Sequence, residues 1–229
     1  MPEGPDLSEP AALIGDPTRA AILMALMDGR AWTASELSVE ARVGAPTVSA
    51  HLAKLAAGGL IEPMSQGRHR YFRLAGPDVA FALEALLNIA AHRAPPKRRP
   101  GPRDDAMRAA RTCYDHIAGQ LGVAIFQALS ERRWIKSTNG AWSLTKRGSD
   151  SVEDIFGIDA TQFSVSRRAI VKPCLDWGER TEHLGGALGK AFLSRALEAG
   201  WVERGPGRIL TLTTSGKRKF ASALGIPRP

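Results

Sequence analysis

Residues 45–74 read APTVSAHLAKLAAGGLIEPMSQGRHRYFRL. Apolar residues recur at helical spacing over residues 45–55, and the glycine pair at 58–59 marks the end of the helix. Two strand-like runs follow, separated by a basic tip at 67–70 that begins with glycine. A helix, a glycine stop and a basic hairpin in this order are typical of the reading end of a winged helix-turn-helix.

The segment upstream supplies the first half of the same motif. Asp16 is a suitable N-cap and Pro17 a suitable first residue for a helix that continues to about residue 26. Thr33 and Glu36 have capping-box spacing, which predicts that a short helix begins there. We therefore expect a short helix, a glycine turn and a recognition helix in succession.

The helical phase of residues 45–55 separates core positions from surface positions. Val48, Leu52 and Leu55 share one face and are predicted to be buried. Because the N-terminal part of a recognition helix enters the major groove, the residues opposite this face are candidates for DNA contact. Basic residues at the hairpin tip are expected to contact phosphate or the minor groove. The predicted DNA contacts are Thr47, Ser49, Ala50, Lys54, Arg68, His69 and Arg70.

The bulk properties of the 229-residue chain are compatible with this interpretation. The net charge of +8 favours a polyanionic partner, and the apolar fraction of 44% is enough for packed cores. Two cysteines exclude a disulfide-rich secreted scaffold. No signal peptide and no apolar run long enough to span a membrane is visible, so a cytoplasmic location is expected.

Composition suggests how the rest of the chain is divided. Residues 1–9 are rich in proline and acid and are expected to be flexible, and a winged domain occupies 10–92. Its last segment, 77–92, is apolar on several sides and is interpreted as a helix that forms a homodimer. Residues 93–103 are a basic, proline-rich linker, and residues 104–229 form a C-terminal domain that is the expected sensor.

The C-terminal domain contains an internal similarity between residues 119–158 and 186–226. GQLGVAIF at 119–126 resembles GALGKAFL at 186–193, and further anchors follow in the same order. Each copy is expected to form a helix, a short hairpin and a second helix. The predicted fold class is mostly α with small β-hairpins, with an N-terminal winged helix-turn-helix and two winged-helix-like repeats after it.

The quoted motifs resemble the ArsR/SmtB-type bacterial winged-helix repressors. The resemblance covers residues 10–92 and is carried by LIGDPTR at 13–19, TVSAHLAKL at 47–55 and GRHRY at 67–71. It implies a homodimer that binds an operator and releases it when an effector binds. The chain departs from the family at the known metal sites, because the helix before the turn has Ser38 but no thiol, and Asp78 and His92 have the wrong spacing for the ligands on the dimer helix.

A different set of candidate ligands lies in the C-terminal domain. Cys113 and His116 are expected on one face of a helix, and Cys174 in a loop with His183 nearby. These four residues could form a tetrahedral site for zinc or another soft metal, and the thiols alone could form a redox switch. Buried free cysteine is also ordinary core material. An organic effector near Trp134, Trp177 and Trp201 is a further alternative, as is a plain core role for these tryptophans.

The function expected from the sequence is that of a dimeric repressor of transcription, which binds a double-stranded operator and responds to an effector. DNA binding itself requires no cofactor. The alternative is an architectural DNA-binding protein without a small-molecule effector. An enzyme with Cys113 as nucleophile and His116 as base is not expected, because no third group orients that pair.

Overall fold

The computed structural model describes residues 4–67, 69–93, 101–165 and 168–226. It divides into an N-terminal unit that ends at Glu84 and a C-terminal unit that starts at Ala85, so the division falls inside a helix. The boundary predicted at residue 92 lies further along the same helix. The predicted fold class is confirmed, since the described elements are mainly helices with small antiparallel hairpins.

The elements follow in one chain order. The helices are α1 (Ser8–Ile14), α2 (Pro17–Leu26), α3 (Ala34–Glu40), α4 (Ala45–Ala57), α5 (Pro77–Arg93), α6 (Asp105–Ala109), α7 (Gly119–Glu131), α8 (Lys146–Phe156), α9 (Gly186–Glu198) and α10 (Thr214–Leu224), with a 3-10 helix at Ala160–Val165. The strands are β1 (Trp32–Thr33), β2 (Ile61–Gln66), β3 (His69–Leu74), β4 (Arg111–Cys113), β5 (His116–Ala118), β6 (Ile135–Thr138), β7 (Ala141–Leu144), β8 (Lys172–Leu175), β9 (Glu182–Gly185), β10 (Val202–Arg204) and β11 (Leu210–Leu212).

Local caps position the helices of the N-terminal unit as the sequence predicts. The Asp16 carboxylate accepts the backbone N–H of Arg19 at 2.9 Å and starts α2. Thr33 and Glu36 form the reciprocal capping box that starts α3. The flexible N-terminus predicted for residues 1–9 is only partly right, because α1 already begins at Ser8, where the Asp6 carboxylate accepts the Ser8 N–H at 2.8 Å. Residues 1–3 lie outside the described part of the chain.

The wing is an antiparallel hairpin to which a short third strand is added. Strands β2 and β3 pair from Ile61↔Leu74 to Gln66↔His69, and the sheet order is β1-β3-β2. Gly67 lies at the tip with φ of +58°, a conformation that glycine adopts without steric cost. Arg68 lies outside the described residues. The hairpin therefore brings the following residues, His69 and Arg70, to the tip.

The core of the winged unit uses the predicted face of α4. Val48, Leu52 and Leu55 are at most 2% exposed. They are buried together with apolar residues of the two preceding helices, Ile22, Leu23, Leu26 and Leu37. The burial of this face directs the opposite face of α4 to solvent.

The C-terminal unit contains two halves with the same order of elements. In each half a hairpin precedes a helix, a second hairpin follows, and another helix ends the half. The predicted repeats 119–158 and 186–226 begin at α7 and α9, so they leave out the first hairpin of each half. Side chains of both halves enter a single apolar core, which includes Ile125, Phe126, Leu129, Leu188, Phe192 and Leu193.

No helix within the described ranges combines the length and the apolar character needed to cross a lipid bilayer.

Close backbone approach at the second helix of each half leads to a stability prediction. A Cβ on Gly148 would lie 2.0 Å from the carbonyl oxygen of Trp134, and one on Gly216 would lie 1.9 Å from that of Trp201. Because backbone cannot yield as a flexible side chain does, Gly148→Ala should lower the free energy of unfolding by about 1–3 kcal/mol. Chemical denaturation would measure it. The neighbouring exposed variant Arg147→Ala is the control, and equal stability of the two variants would contradict the prediction.

Candidate functional site

The exposed face of α4 carries the side chains predicted to read DNA. Thr47, Ser49, Ala50 and Lys54 are all exposed. The Ser49 hydroxyl donates to the carbonyl of Ala45 at 2.8 Å, and its oxygen can still accept a hydrogen bond from a base. This face is therefore a small, mostly uncharged surface, with a single cation among these four residues.

The wing tip adds the basic part of the candidate nucleic-acid interface. His69 and Arg70 are exposed at the start of β3. The Arg70 guanidinium lies 5.4 Å from the centre of the Phe72 ring, and the His69 ring centre lies 6.4 Å from that of Tyr71. Packing against these rings restrains both side chains while it leaves their polar ends in solvent.

A second candidate site lies inside the C-terminal unit and is formed by two hairpins. Cys113 and His116 are cross-strand partners in the β4–β5 hairpin. Cys174 and His183 are cross-strand partners in the β8–β9 hairpin of the other half. We call these four residues the thiol–imidazole cluster.

The four potential ligand atoms of the cluster converge on one point. The two Sγ atoms are 3.9 Å apart, the two Nε2 atoms are 3.1 Å apart, and all four ligand atoms lie within 4.8 Å of one another. Cys113, His116 and His183 are each 1% exposed. Two thiols and two imidazoles in such an arrangement could hold a metal ion that prefers nitrogen and sulfur ligands.

The cluster contains the residues predicted from the sequence, but their local structure was predicted wrongly. The expected helix at residues 113–116 is a tight turn, in which Tyr114 adopts a left-handed conformation with φ of +57°. The loop predicted at Cys174 is strand β8. The error arose because residues three apart are neighbours on a helix and also across a two-residue turn, so spacing alone does not separate the two structures.

Two carboxylates lie directly behind the imidazoles. The Asp115 carboxylate is 3.2 Å from Nδ1 of His116 and also accepts a hydrogen bond from Arg168 at 3.0 Å. On the other side, Oδ2 of Asp176 faces Nδ1 of His183 at 3.8 Å, beyond hydrogen-bond reach. The sequence analysis missed the role of both aspartates, and each would have been found by asking what orients the ring of the nearby histidine.

The electrostatic environment favours charged forms within the cluster. Burial by itself would raise the pKa of Asp115, but hydrogen bonds from His116 and Arg168 lower it to about 2. Burial likewise disfavours a charged His116, yet Asp115 and Cys174 together raise its pKa. Hydrogen bonding from the Cys113 thiol, assisted by the two imidazoles, lowers the pKa of Cys174 far below its usual range. Cys174 therefore has strong thiolate character.

The tryptophans proposed as an alternative effector site do not form one group. Trp134 is 5% exposed and belongs to the apolar core, and Trp201 packs edge-on against Phe156 and Phe220. Trp177 instead lies under the guanidinium of Arg111, which is 5.0 Å from the ring centre. Among these rings the core role is the one that the contacts support.

Comparisons with known proteins agree with the winged fold. A family described as a helix-turn-helix domain matches residues 14–63. The HTH-type transcriptional regulator YdfF of Bacillus subtilis is 39% identical over 223 residues, which cover 97% of this chain and 98% of that protein.

Solved structures similar to this chain align over less than half of its length. The homodimeric winged helix-turn-helix DNA-binding domain of Mb0332 from Mycobacterium bovis is 23% identical, with a TM-score of 0.35, over 42% of this chain and 100% of that one. The cadmium sensor CMTR from Mycobacterium tuberculosis is 30% identical, with a TM-score of 0.33, over 43% of this chain and 99% of that one. On the near full-length match to YdfF, the chain belongs to the helix-turn-helix family of DNA-binding transcriptional regulators, and its winged helix is of the kind that resembles the ArsR/SmtB type.

Proposed function

We propose that this regulator is a homodimeric repressor that binds a specific operator through α4 and the wing and responds to an effector in its C-terminal unit. The observation that carries the proposal is the exposed polar face of α4 next to a basic wing. A motif combined with a basic patch is the expected footprint of a protein that reads duplex DNA. The net charge of +8 adds a general attraction to the phosphate backbone.

The side chains of α4 divide into those that read bases and those that position the helix. Thr47 and Ser49 offer hydroxyls that can donate to or accept from base edges, and the Ala50 methyl suits contact with the methyl of thymine. Lys54 lies further along the helix, where a phosphate contact positions the protein without reading sequence. On the wing, His69 and Arg70 are proposed to contact phosphate or a narrow minor groove.

An apolar surface on α5 supports the homodimer. Leu86 is 44% exposed and Ile89 is 56% exposed, and the three-residue spacing places both on one side of the helix. Large apolar side chains grouped on a helix face are commonly covered by a partner, and a second copy of this chain would cover the same face in a symmetric dimer. The side chain of His92, near the end of α5, lies outside the described residues.

The experiment that tests this function measures binding of the full-length protein to DNA upstream of its own gene. Fluorescence anisotropy should show tight binding of a dimer to a pseudo-palindromic site, with non-specific DNA bound at least about 1,000-fold more weakly. Equal affinity for every duplex, with a footprint that spreads along the DNA, would overturn the repressor proposal in favour of an architectural protein.

The proposed phosphate contact of Lys54 gives a prediction about salt. Replacing Lys54 with alanine removes one cation per protomer from the DNA interface, so the slope of log K against log salt concentration should become shallower by about 1 per half-site contact. Preference among sequences should stay unchanged. Titrations at several salt concentrations would measure the slope. The exposed Lys146, far along the chain in α8, provides the matched control as Lys146→Ala, and an equal change in both variants would refute the assignment.

A further inference from the structure

We propose that the thiol–imidazole cluster binds one zinc ion per chain, with Cys113, His116, Cys174 and His183 as a closed set of four ligands. The four side chains come from two hairpins in different halves of the C-terminal unit. A single ion at this point would join the two halves. Nothing in the relatives' names assigns such a site.

The distances within the cluster agree with tetrahedral zinc. Zinc bonds of about 2.3 Å to sulfur and about 2.0 Å to nitrogen place two thiolates about 3.8 Å apart and two imidazole nitrogens about 3.3 Å apart in a tetrahedron. The observed separations are 3.9 Å between the Sγ atoms and 3.1 Å between the Nε2 atoms. The ligand atoms therefore need to move by only a few tenths of an ångström to bind the ion.

The types of ligand atom determine the class of metal. Thiolate and imidazole select zinc and similar ions of borderline softness, whereas magnesium and calcium require oxygen ligands. Binding displaces the proton of each thiol to solvent, so the two negative charges of the thiolates balance the two positive charges of the ion. The lowered pKa of Cys174 means that at least one of these protons is easily lost.

The two carboxylates behind the imidazoles complete the arrangement. When Nε2 binds a metal, the opposite nitrogen carries a proton that needs an acceptor. Asp115 supplies that acceptor to His116 at 3.2 Å. The buried Nδ1 of His183 has no hydrogen-bond partner among the described residues, and Asp176 at 3.8 Å is the carboxylate that faces it. A small rotation of the His183 ring on metal binding would satisfy this nitrogen.

The deciding experiment uses full-length protein that has been reduced and stripped of metal with a chelator. Cobalt(II) is added first, because its absorption reports both tetrahedral geometry and thiolate ligation. Cys113 and Cys174 are the two cysteines of the chain, so a thiolate-to-cobalt band must arise from the cluster. Zinc should then displace cobalt with a stoichiometry of one ion per chain. Absence of the thiolate band, or a different stoichiometry, would overturn the proposal.

Variants separate a loss of metal ligation from a loss of folding. Cys174→Ser should weaken zinc binding by more than about 100-fold, and Asp115→Asn, which removes only the partner of a ligand, by about 10-fold. His69→Gln changes an exposed histidine of the wing and should bind zinc as the natural protein does. Circular dichroism establishes that each variant is folded. If folded Asp115→Asn and Cys174→Ser both retain full affinity, the cluster is not the site. If the purified protein instead contains a Cys113–Cys174 disulfide and takes up no metal after reduction, the cluster is a redox pair.

We infer further that zinc is the class of effector, a step that rests on the proposed function. Operator affinity of the metal-free and zinc-loaded protein should differ by at least about 10-fold, and Cys174→Ser should abolish the difference. Stoichiometric zinc binding with unchanged operator affinity would leave the metal site intact and exclude zinc as the effector. Loss of specific DNA binding in every form would instead contradict the proposed function alone.

Discussion

Asp176→Ala should lower the free energy of unfolding by about 3–5 kcal/mol, the largest change in stability that we expect from a single substitution. Asp176 is 0% exposed and pairs at 2.7 Å with Arg111, whose side chain is 1% exposed. The same carboxylate accepts the backbone N–H of Gly119 at 2.7 Å and that of Gly178 at 2.9 Å. Alanine would leave a buried guanidinium without its counter-charge and buried N–H groups without an acceptor.

Denaturant unfolding of reduced, metal-free protein at neutral pH would measure this change. Asp150→Ala is the control, because Asp150 is 56% exposed and forms only a surface pair with Lys146. Such exposed pairs contribute at most about 1 kcal/mol. Asp176→Asn keeps an acceptor oxygen but loses the charge, so its stability should fall between the other two. Equal stability of the Asp176 and Asp150 variants would contradict the role assigned to the buried pair.

Ala50→Glu should weaken operator binding by about 100-fold or more without unfolding the protein. The exposed position of Ala50 on α4 means that the larger side chain meets no protein core. In the proposed complex it would place a negative charge against the negative groove of the duplex and remove a methyl contact. Anisotropy titrations with the operator would measure the loss, and the melting temperature would establish that the fold is intact.

The matched control for this variant lies on the same helix. Ala57→Glu introduces the same side chain at another exposed alanine, about 10 Å further along α4. Because only the N-terminal part of the helix is proposed to enter the groove, this variant should bind within about 10-fold of the natural protein. Equal losses in the two variants would mean that charge acts at long range, and full affinity of Ala50→Glu would remove this face of α4 from the interface.

The winged helix could be predicted from the sequence because its signals are local. The Asp16 cap, the Thr33–Glu36 capping box and the buried stripe of α4 each depend on residues a few positions apart. Such short-range interactions determine where a helix begins and which face it buries. Their agreement along 30 or so residues made the fold of this unit recognisable.

The thiol–imidazole cluster shows how far the same approach reaches in the C-terminal unit. The ligand types were identified in the sequence, and His116 and His183 are 67 residues apart, the same offset as Gly119 and Gly186. That offset would have extended the internal similarity back into the hairpins. The local structure at residues 113–116 was still predicted as a helix, because a run of four residues carries too little periodicity to distinguish a helix from a turn.

By itself the sequence determined the winged helix, its exposed reading face and the identity of the four candidate ligands, because these follow from spacing, capping and residue type. Only the tertiary structure decided that Cys113 and Cys174 come within 3.9 Å of each other, and that Asp115 and Asp176 lie behind the imidazoles. Those contacts join residues about 60 positions apart. They exist because two hairpins share one apolar core, and the burial that brings distant strands together depends on the packing of the whole unit rather than on any local pattern.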